Sequence, residues 1–222
     1  IEALSRLNQR LKKEKSDITV VMFFVTRREF RNIRPEVLQS KAMMQEIFQT
    51  TAAIQQEVGK RLFYESTVRE DNHLPDLNTF VDEYWKLRYR RTLQAWKTKK
   101  NPLVITHRLV DEENDEILTA LNAKKLMNNA DDPVKIVYHP DFITASSPLF
   151  GMDYNQFVRG CHLGIFPSYY EPWGYTPLEC MASGIPSVTS DLSGFGDYIL
   201  HHIEDHEKYG LFVIKRGKRT FD

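Results

Sequence analysis

The sequence predicts an α/β fold, a doubly wound parallel sheet with an α-helical hairpin inserted into it. Short, β-branched apolar runs alternate with segments of helical periodicity, the pattern that parallel crossover units require. That rhythm is interrupted once, over residues 35–97, by two long helical patterns with no strand between them. The length of 222 residues, with 41% apolar and 27% charged residues, suits one large globular domain or two small ones.

The elements follow in order. Ile1, Leu4, Leu7 and Leu11 share one helical face. No cap or strand precedes that helix, and "YGLFVIKRGKRTFD" supplies a strand and then stops, so the chain reads as a fragment of a longer protein. "ITVVMFFV", residues 18–25, is a continuous apolar run and predicts a strand buried on both faces. From Pro35 to about Tyr64, Val37, Ser40, Met44, Ile47, Thr51, Ile54 and Val58 step by three and four, a heptad seam. Residues 74–77, around Pro75, break the pattern. A second helix over 78–97 carries Phe80, Tyr84, Trp85, Tyr89, Leu93 and Trp96 and closes an antiparallel hairpin. The alternation then resumes: strand "PLVITH", helix 115–125, strand "VKIVYHP", short helix 154–161, strand "HLGIFPS", a helix after Gly174, strand "IPSVTS", a helix near 196–202 and strand "GLFVIK". Residues 1–34 and 101–222 are expected to form the α/β domain, with 35–100 as the insertion.

Composition excludes several classes. Lys plus Arg equals Asp plus Glu at 30 each, so no overall field favours nucleic acid or a membrane surface. The basic cluster Arg90, Arg91, Lys97, Lys99 and Lys100 reads as a solvated helix end. No apolar run approaches the roughly 18 residues of a membrane helix, and no signal-peptide pattern opens the chain. Two cysteines, Cys161 and Cys180, make no disulfide framework and point to a reducing compartment, with Cys180 a small core residue. No Asp-x-Asp pair or His/Cys cluster calls for a metal.

The chemistry concentrates in "SYYEPWGYTPLECMASGIP", residues 168–186, between two predicted strands. Such a strand-to-helix turn lies at the carboxyl edge of an open sheet, where ligands bind. Backbone N–H groups of Gly174, Tyr175 and Thr176 start the helix, and Pro177 suits its first turn. A helix start of this kind attracts phosphate. Glu179 within the helix and Glu171 before the turn can each accept hydrogen bonds from hydroxyl groups. A pyrophosphate flanked by two such carboxylates describes a sugar nucleotide. The plainer reading is that an acidic residue near a helix start satisfies the dipole, and that Tyr169, Tyr170, Trp173 and Tyr175 only pack.

The segment "RGCHLGIFPSYYEPWGYTPLECMASGIPSVTSDLSGFG" resembles the donor-site signature of glycogen synthases of the animal and fungal type, a family of retaining GT-B glycosyltransferases. "VKIVYHPDFITASSPLFGMDYNQFVRGC" resembles the same family, and the likeness runs through essentially the whole chain. The resemblance implies a Rossmann-like donor half of a GT-B fold. It places Glu171 against the donor glucose near its reacting carbon and Glu179 on the ribose hydroxyls. The amides of Gly174, Tyr175 and Thr176 are then expected to hold the distal phosphate, with Trp173 in the same donor-binding turn. Tyr154 corresponds to the aromatic that stacks on uracil, although alone it reads as a core residue opening a helix. His162 matches a position near the phosphate of the activator glucose 6-phosphate; the alternative is a histidine satisfied at a strand start. Residues 193–196 make a turn facing the same cleft. Tyr138 and His139 end a strand with nothing to distinguish them from packing.

The implied reaction transfers glucose from UDP-glucose to the 4-hydroxyl of an α-1,4-glucan with retention, in the cytoplasm, without cofactor or metal. The hairpin is similar to the insertion that such enzymes use for tetramer contacts, so a homotetramer through 35–100 is implied. The residues that clamp the donor phosphates and the acceptor domain lie outside this sequence, so the 222-residue chain alone is expected to bind UDP-sugars weakly and catalyse nothing. The rival readings are a sucrose or starch synthase of the same fold, and a non-catalytic assembly module built on the hairpin.

Overall fold

The computed structural model describes residues 1–68, 76–98 and 101–216. The expected break at Pro75, the basic residues Lys99 and Lys100, and the last six residues lie outside them. Chain contacts divide the protein into two compact units, Ile1–Phe142 and Ile143–Asp222, and each is described by itself.

In the first unit, α1 (Glu2–Glu14) is amphipathic, and Ile1, Leu4, Leu7 and Leu11 pack as the stepping by three and four requires. They meet Val104, Leu121, Leu126, Val134 and Ile136 in one core. Leu121, Val134 and Ile136 are fully buried, each side chain contributing about 1.5–3 kcal/mol of transfer free energy. β1 (Val20–Val25) pairs in parallel with β4 (Val134–His139). The expectation that β1 is buried on both faces is corrected, because Val21 and Val25 are 48% and 39% exposed. Among the described residues, β4 is the only strand paired with β1, so its flank is not fully covered.

The other edge of β4 is finished by side chains and a short segment. The Val134 amide donates to Asn8 Oδ1 at 3.1 Å. At Ile136, the amide donates to Asn128 Oδ1 (2.7 Å) and the carbonyl accepts from Asn128 Nδ2 (2.9 Å). The Tyr138 amide donates to the Val104 carbonyl (2.7 Å), and the Tyr138 carbonyl accepts from the Thr106 amide (2.9 Å). Every other residue of β4 therefore has its outward amide satisfied, and Ile136 and Tyr138 their outward carbonyls as well, as buried peptide groups require.

The predicted strand "PLVITH" is realised differently. Ile105 makes an isolated parallel bridge to Tyr138, and regular pairing begins only in β3 (His107–Leu109). β3 runs antiparallel to β2 (Phe30–Ile33), a strand with no expectation in the sequence. Its register shifts between Phe30 and Asn32, and such an irregular four-residue segment carries too little alternation to announce itself. α4 (Glu116–Ala123) is capped by Asp115, whose carboxylate accepts from the Leu118 amide and from the Tyr138 hydroxyl.

α2 (Pro35–Val68) and α3 (Glu83–Lys97) fill the interrupted stretch. Arg88 of α3 donates to Glu46 of α2 at 2.6 Å and holds that carboxyl below its ordinary range. The second helix was expected from residue 78. Instead Leu77–Phe80 is a 3-10 turn capped by Asp76, the chain is extended at Val81, and Asp82 caps α3 through the Tyr84 amide. Two aspartates that favour caps over helix interiors account for the split.

Beside β4, Thr106 Oγ1 lies 2.8 Å from His107 Nδ1 and 3.0 Å from His139 Nδ1, and the two rings meet edge-on at 5.1 Å. Burial pushes both imidazoles below their ordinary value; His107 adds to that effect on His139, while Asp141 opposes it on both. An unfolded histidine titrating near 6.5 takes up a proton more readily than either folded one. The stability tied to this pair is therefore complete above about pH 6.5 and is lost as the pH falls from there toward the depressed folded values. Hydrogen-exchange protection of β4 amides, corrected for intrinsic rates, is expected to fall over that window. Constant protection would show that both rings titrate as they do in the unfolded chain.

In the second unit, β5 (Gly164–Ile165), β6 (Ser187–Ser190) and β7 (Leu211–Ile214) form a parallel sheet in the order β5-β6-β7. α6 (Tyr175–Ala182) connects β5 to β6, and α7 (Gly194–His202) connects β6 to β7. α5 (Tyr154–Arg159) precedes them under a capping box of Asp153 and Gln156. Phe195, Ile199 and Leu211 form the core, packed by Trp173, Leu178, Met181, Ile203 and Val213. The protein is thus a mixed α/β chain with parallel sheets.

Candidate functional site

Because β5, β6 and β7 are parallel, the loops that follow them leave from one edge of the sheet. The turn after β5 carries most of the expected site residues. Gly174 is the N-cap of α6 at φ 106°, ψ 76°, a backbone that side-chain-bearing residues rarely adopt. A Cβ there would also lie 3.3 Å from Glu171 Oε2. With glycine at the cap, no side chain satisfies the first turn of α6, and the backbone donors of Tyr175 and Thr176 begin a helix whose dipole is positive at this end. Both residues are exposed, and so is Glu179 further along the helix.

The loop after β6 is clamped onto this turn. The Gly194 amide donates to the Glu171 carbonyl at 3.0 Å, and the Phe195 amide donates to the Trp173 carbonyl at 2.6 Å. A Cβ on residue 194 would lie 2.1 Å from the Pro172 oxygen, and one on residue 196 would lie 2.0 Å from the Ser190 oxygen. Only glycine fits either approach. The Trp173 indole lies edge-on to Phe195 at 5.9 Å and tilted against Tyr198 at 5.7 Å, so it anchors the turn to the core.

A chain of hydroxyl groups, absent from the sequence reading, supports the same turn. Ser187, Thr189, Ser190 and Ser193 are at most 2% exposed. Ser187 Oγ donates to the Pro177 carbonyl in the first turn of α6 (3.1 Å). Ser193 Oγ donates to the Ser190 carbonyl (3.0 Å) and accepts from the Gly196 amide (3.1 Å), capping α7. Its single proton being committed, the Thr189 hydroxyl donates to it across 3.1 Å. Ser190 Oγ donates to the Ser168 carbonyl (2.7 Å), and Ser168 Oγ donates to Glu171 Oε2 (2.7 Å). The usable signal was "IPSVTS", a predicted buried strand with hydroxyls in place of aliphatic residues.

Tyr154 opens α5 and is half-buried. Burial raises its phenol above the ordinary value, and Cys180, Glu179 and Cys161 act in the same direction, so the ring is near Glu179 and stays protonated at neutral pH. Burial likewise raises the Cys161 thiol above its ordinary value, which keeps it protonated at neutral pH. Cys180 is buried as expected, and a Cβ on Gly164 would meet its sulfur at 2.6 Å. His162 is exposed in the bend before β5. Among the described residues, no hydrogen bond or ring contact joins it to the glutamates. Residues 193–196 are the cap and first turn of α7. Tyr138 and His139 are at most 1% exposed and pack in the first unit. Among the described residues, no three His, Cys, Asp or Glu groups are placed to share a metal ion, and no helix is long and apolar enough to cross a membrane.

The whole chain, residues 1–222, matches the family model described as glycogen synthase. The chain belongs to the glycogen synthase family. It is 42% identical over 222 residues to the liver glycogen (starch) synthase of Homo sapiens, covering all of this chain and 31% of that protein. It is 39% identical over 223 residues to glycogen (starch) synthase of Neurospora crassa, covering 32% of that protein. It is 41% identical over 231 residues to glycogen (starch) synthase isoform 1 of Saccharomyces cerevisiae, covering 33%. The chain therefore spans about a third of the length of these relatives.

The close approaches make a direct test of the clamped turn. Gly194→Ala is expected to cost on the order of 3 kcal/mol, since a backbone oxygen must be displaced. Gly59→Ala, in an exposed stretch of α2 with nothing within 4 Å of the added methyl, is expected to stabilise by about 0.8–1 kcal/mol. Urea unfolding of the two variants decides; equal, small effects would mean that the turn and loop are not held at this distance.

Proposed function

We propose that this chain is the donor-binding part of an enzyme that transfers glucose from UDP-glucose to the non-reducing end of an α-1,4-glucan with retention of configuration. One observation carries the reading: the Glu171 carboxylate, fixed by Ser168 against Gly174, stands at the start of a helix with no side-chain cap. Membership of the glycogen synthase family supports it. On this reading the amides of Gly174, Tyr175 and Thr176 receive the distal phosphate of UDP-glucose and, with the helix dipole, stabilise the charge that develops as UDP departs. Glu171 lies beside the anomeric carbon, where an ionised carboxylate favours the positive charge of an oxocarbenium-like state. Glu179 takes the ribose hydroxyls, and the neutral Tyr154 ring stacks on uracil. Trp173 serves the donor by holding the turn, and the exposed His162 is left to an effector phosphate such as that of glucose 6-phosphate.

The finer architecture belongs to the same proposal. Residues 1–34 and 101–222 make a Rossmann-like donor half of a GT-B fold, with 35–100 as a helical insertion. The reaction runs in the cytoplasm and needs no cofactor or metal. Glu171→Gln, in a full-length protein carrying this chain, is expected to lower glucose transfer at least about 100-fold, with UDP binding retained and competed by UDP rather than ADP. Undiminished transfer would reduce Glu171 to a shaper of the turn.

α2 and α3 suit assembly of a homotetramer. On the heptad seam Met44 is 49% exposed; Phe48, one turn on, is 75% exposed, and Phe63, about four turns beyond that, is 72% exposed. Large apolar side chains left exposed along one helix support its use as an interaction surface. Replacing Met44 and Phe48 by Glu is expected to lower the sedimenting mass of the full-length protein, and an unchanged mass would confine the seam to the helix pair itself.

A further inference from the structure

We propose that Ser168 is a positioning residue for Glu171, and that Ser190 is the link that fixes Ser168 to the sheet. This rests on the reading of Glu171 as the carboxylate beside the donor sugar. Ser168 Oγ donates to Glu171 Oε2 at 2.7 Å, while the Ser168 carbonyl accepts from Ser190 Oγ, also at 2.7 Å. Ser190 is 1% exposed on β6, the central strand of its sheet. The carboxylate is thus connected to the most constrained backbone of the unit through two hydroxyls.

The rest of its surroundings makes that connection decisive. The Glu171 backbone is fixed by its isolated bridge to Ser193 and by the Gly194 amide on its carbonyl. The Gly174 Cα side faces Oε2 so closely that a Cβ would stand 3.3 Å from it. A glutamate still has three side-chain torsions after its backbone is fixed, and the hydrogen bond from Ser168 is what selects among them. It occupies Oε2 and leaves Oε1 to face a ligand.

Ser190, fully buried, is a costly choice for its place unless it is used. A buried hydroxyl without a partner costs about 1–3 kcal/mol, and an aliphatic residue on β6 would avoid that cost. Both hydroxyls are instead committed in series toward one carboxylate.

The test uses a full-length protein carrying this chain. Ser168→Ala, Ser168→Thr, Ser190→Ala and Glu171→Gln are compared for kcat and KM with UDP-glucose, for UDP affinity and for melting temperature. A lost hydrogen bond to a charged group predicts a fall in kcat of about 10- to 100-fold for Ser168→Ala. KM and UDP affinity are expected to stay within about twofold, and Ser168→Thr, which keeps the donor, to recover most of the rate. Ser190→Ala is expected to show the same kcat-only loss at smaller size, and it decides the matter should Ser168→Ala fail to fold. Ser183→Ala, which removes an exposed hydroxyl at the end of α6, is the unaffected control. Wild-type kcat in Ser168→Ala, no recovery with threonine, or a loss of UDP binding parallel to kcat would each overturn the proposal. If Glu171→Gln is itself fully active, the reading of Glu171 fails first. If Glu171→Gln is inactive and Ser168→Ala is not, only the positioning role fails.

Discussion

The second unit depends on the approach of two backbones to a distance that admits no side chain. The Pro172 carbonyl occupies the place a Cβ on residue 194 would take, and the Ser190 carbonyl does the same at residue 196. From these contacts follow the hydrogen bonds that join the loop after β6 to the turn after β5. The turn fixes the backbone of Glu171 and the left-handed Gly174, and Gly174 in turn starts α6 without a side-chain cap. A loop carrying functional residues is ordinarily the mobile part of a sheet protein. Here it is tied to the start of α7 by main-chain bonds and to β6 by the Ser190 hydroxyl, so the geometry at the sheet edge inherits the rigidity of the sheet.

The hydroxyls of β6 are the second layer of the same arrangement. A central parallel strand is normally aliphatic, because both its faces are covered. Ser187, Thr189 and Ser190 give up that apolar burial, and each spends its proton on a loop or helix end: the Pro177 carbonyl, Ser193, and the Ser168 carbonyl. The strand thereby acts as a row of anchors along the edge where the ligand is expected. Trp173 does the complementary work from the apolar side, since its indole packs on Phe195 and Tyr198.

Much of this was legible in the sequence, and the failures have physical causes. α1, α4 and β4 were readable because each buries a stripe or face large enough to pattern the composition, and α2, β1, β6 and β7 were readable from their stepping or their β-branched runs, although α2 fully buries Thr50 alone. β2 was not, since four residues with a register shift carry no alternation. The start of α3 was misplaced because its apolar pattern extends back through Phe80, whereas Asp76 and Asp82 divide the stretch by capping. At the candidate site, the turn, Gly174 and both glutamates could be picked out by residue type and spacing. Ser168 and Ser190 could not, because a hydroxyl's importance lies in what it reaches, and a sequence does not show which carbonyl or carboxylate that is.

The far edge of β4 has a consequence of another kind. Asn8, Asn128 and the segment 104–106 take up the outward amides of Val134, Ile136 and Tyr138 and the outward carbonyls of Ile136 and Tyr138. They stand where a neighbouring strand would stand, and of the three the segment 104–106 alone does so by main-chain bonding. The amides of the two asparagines imitate peptide groups without extending a ladder. An incoming strand from another molecule finds no continuous row of free amides there, so the same bonds that complete the fold also guard an apolar strand against edge-to-edge aggregation.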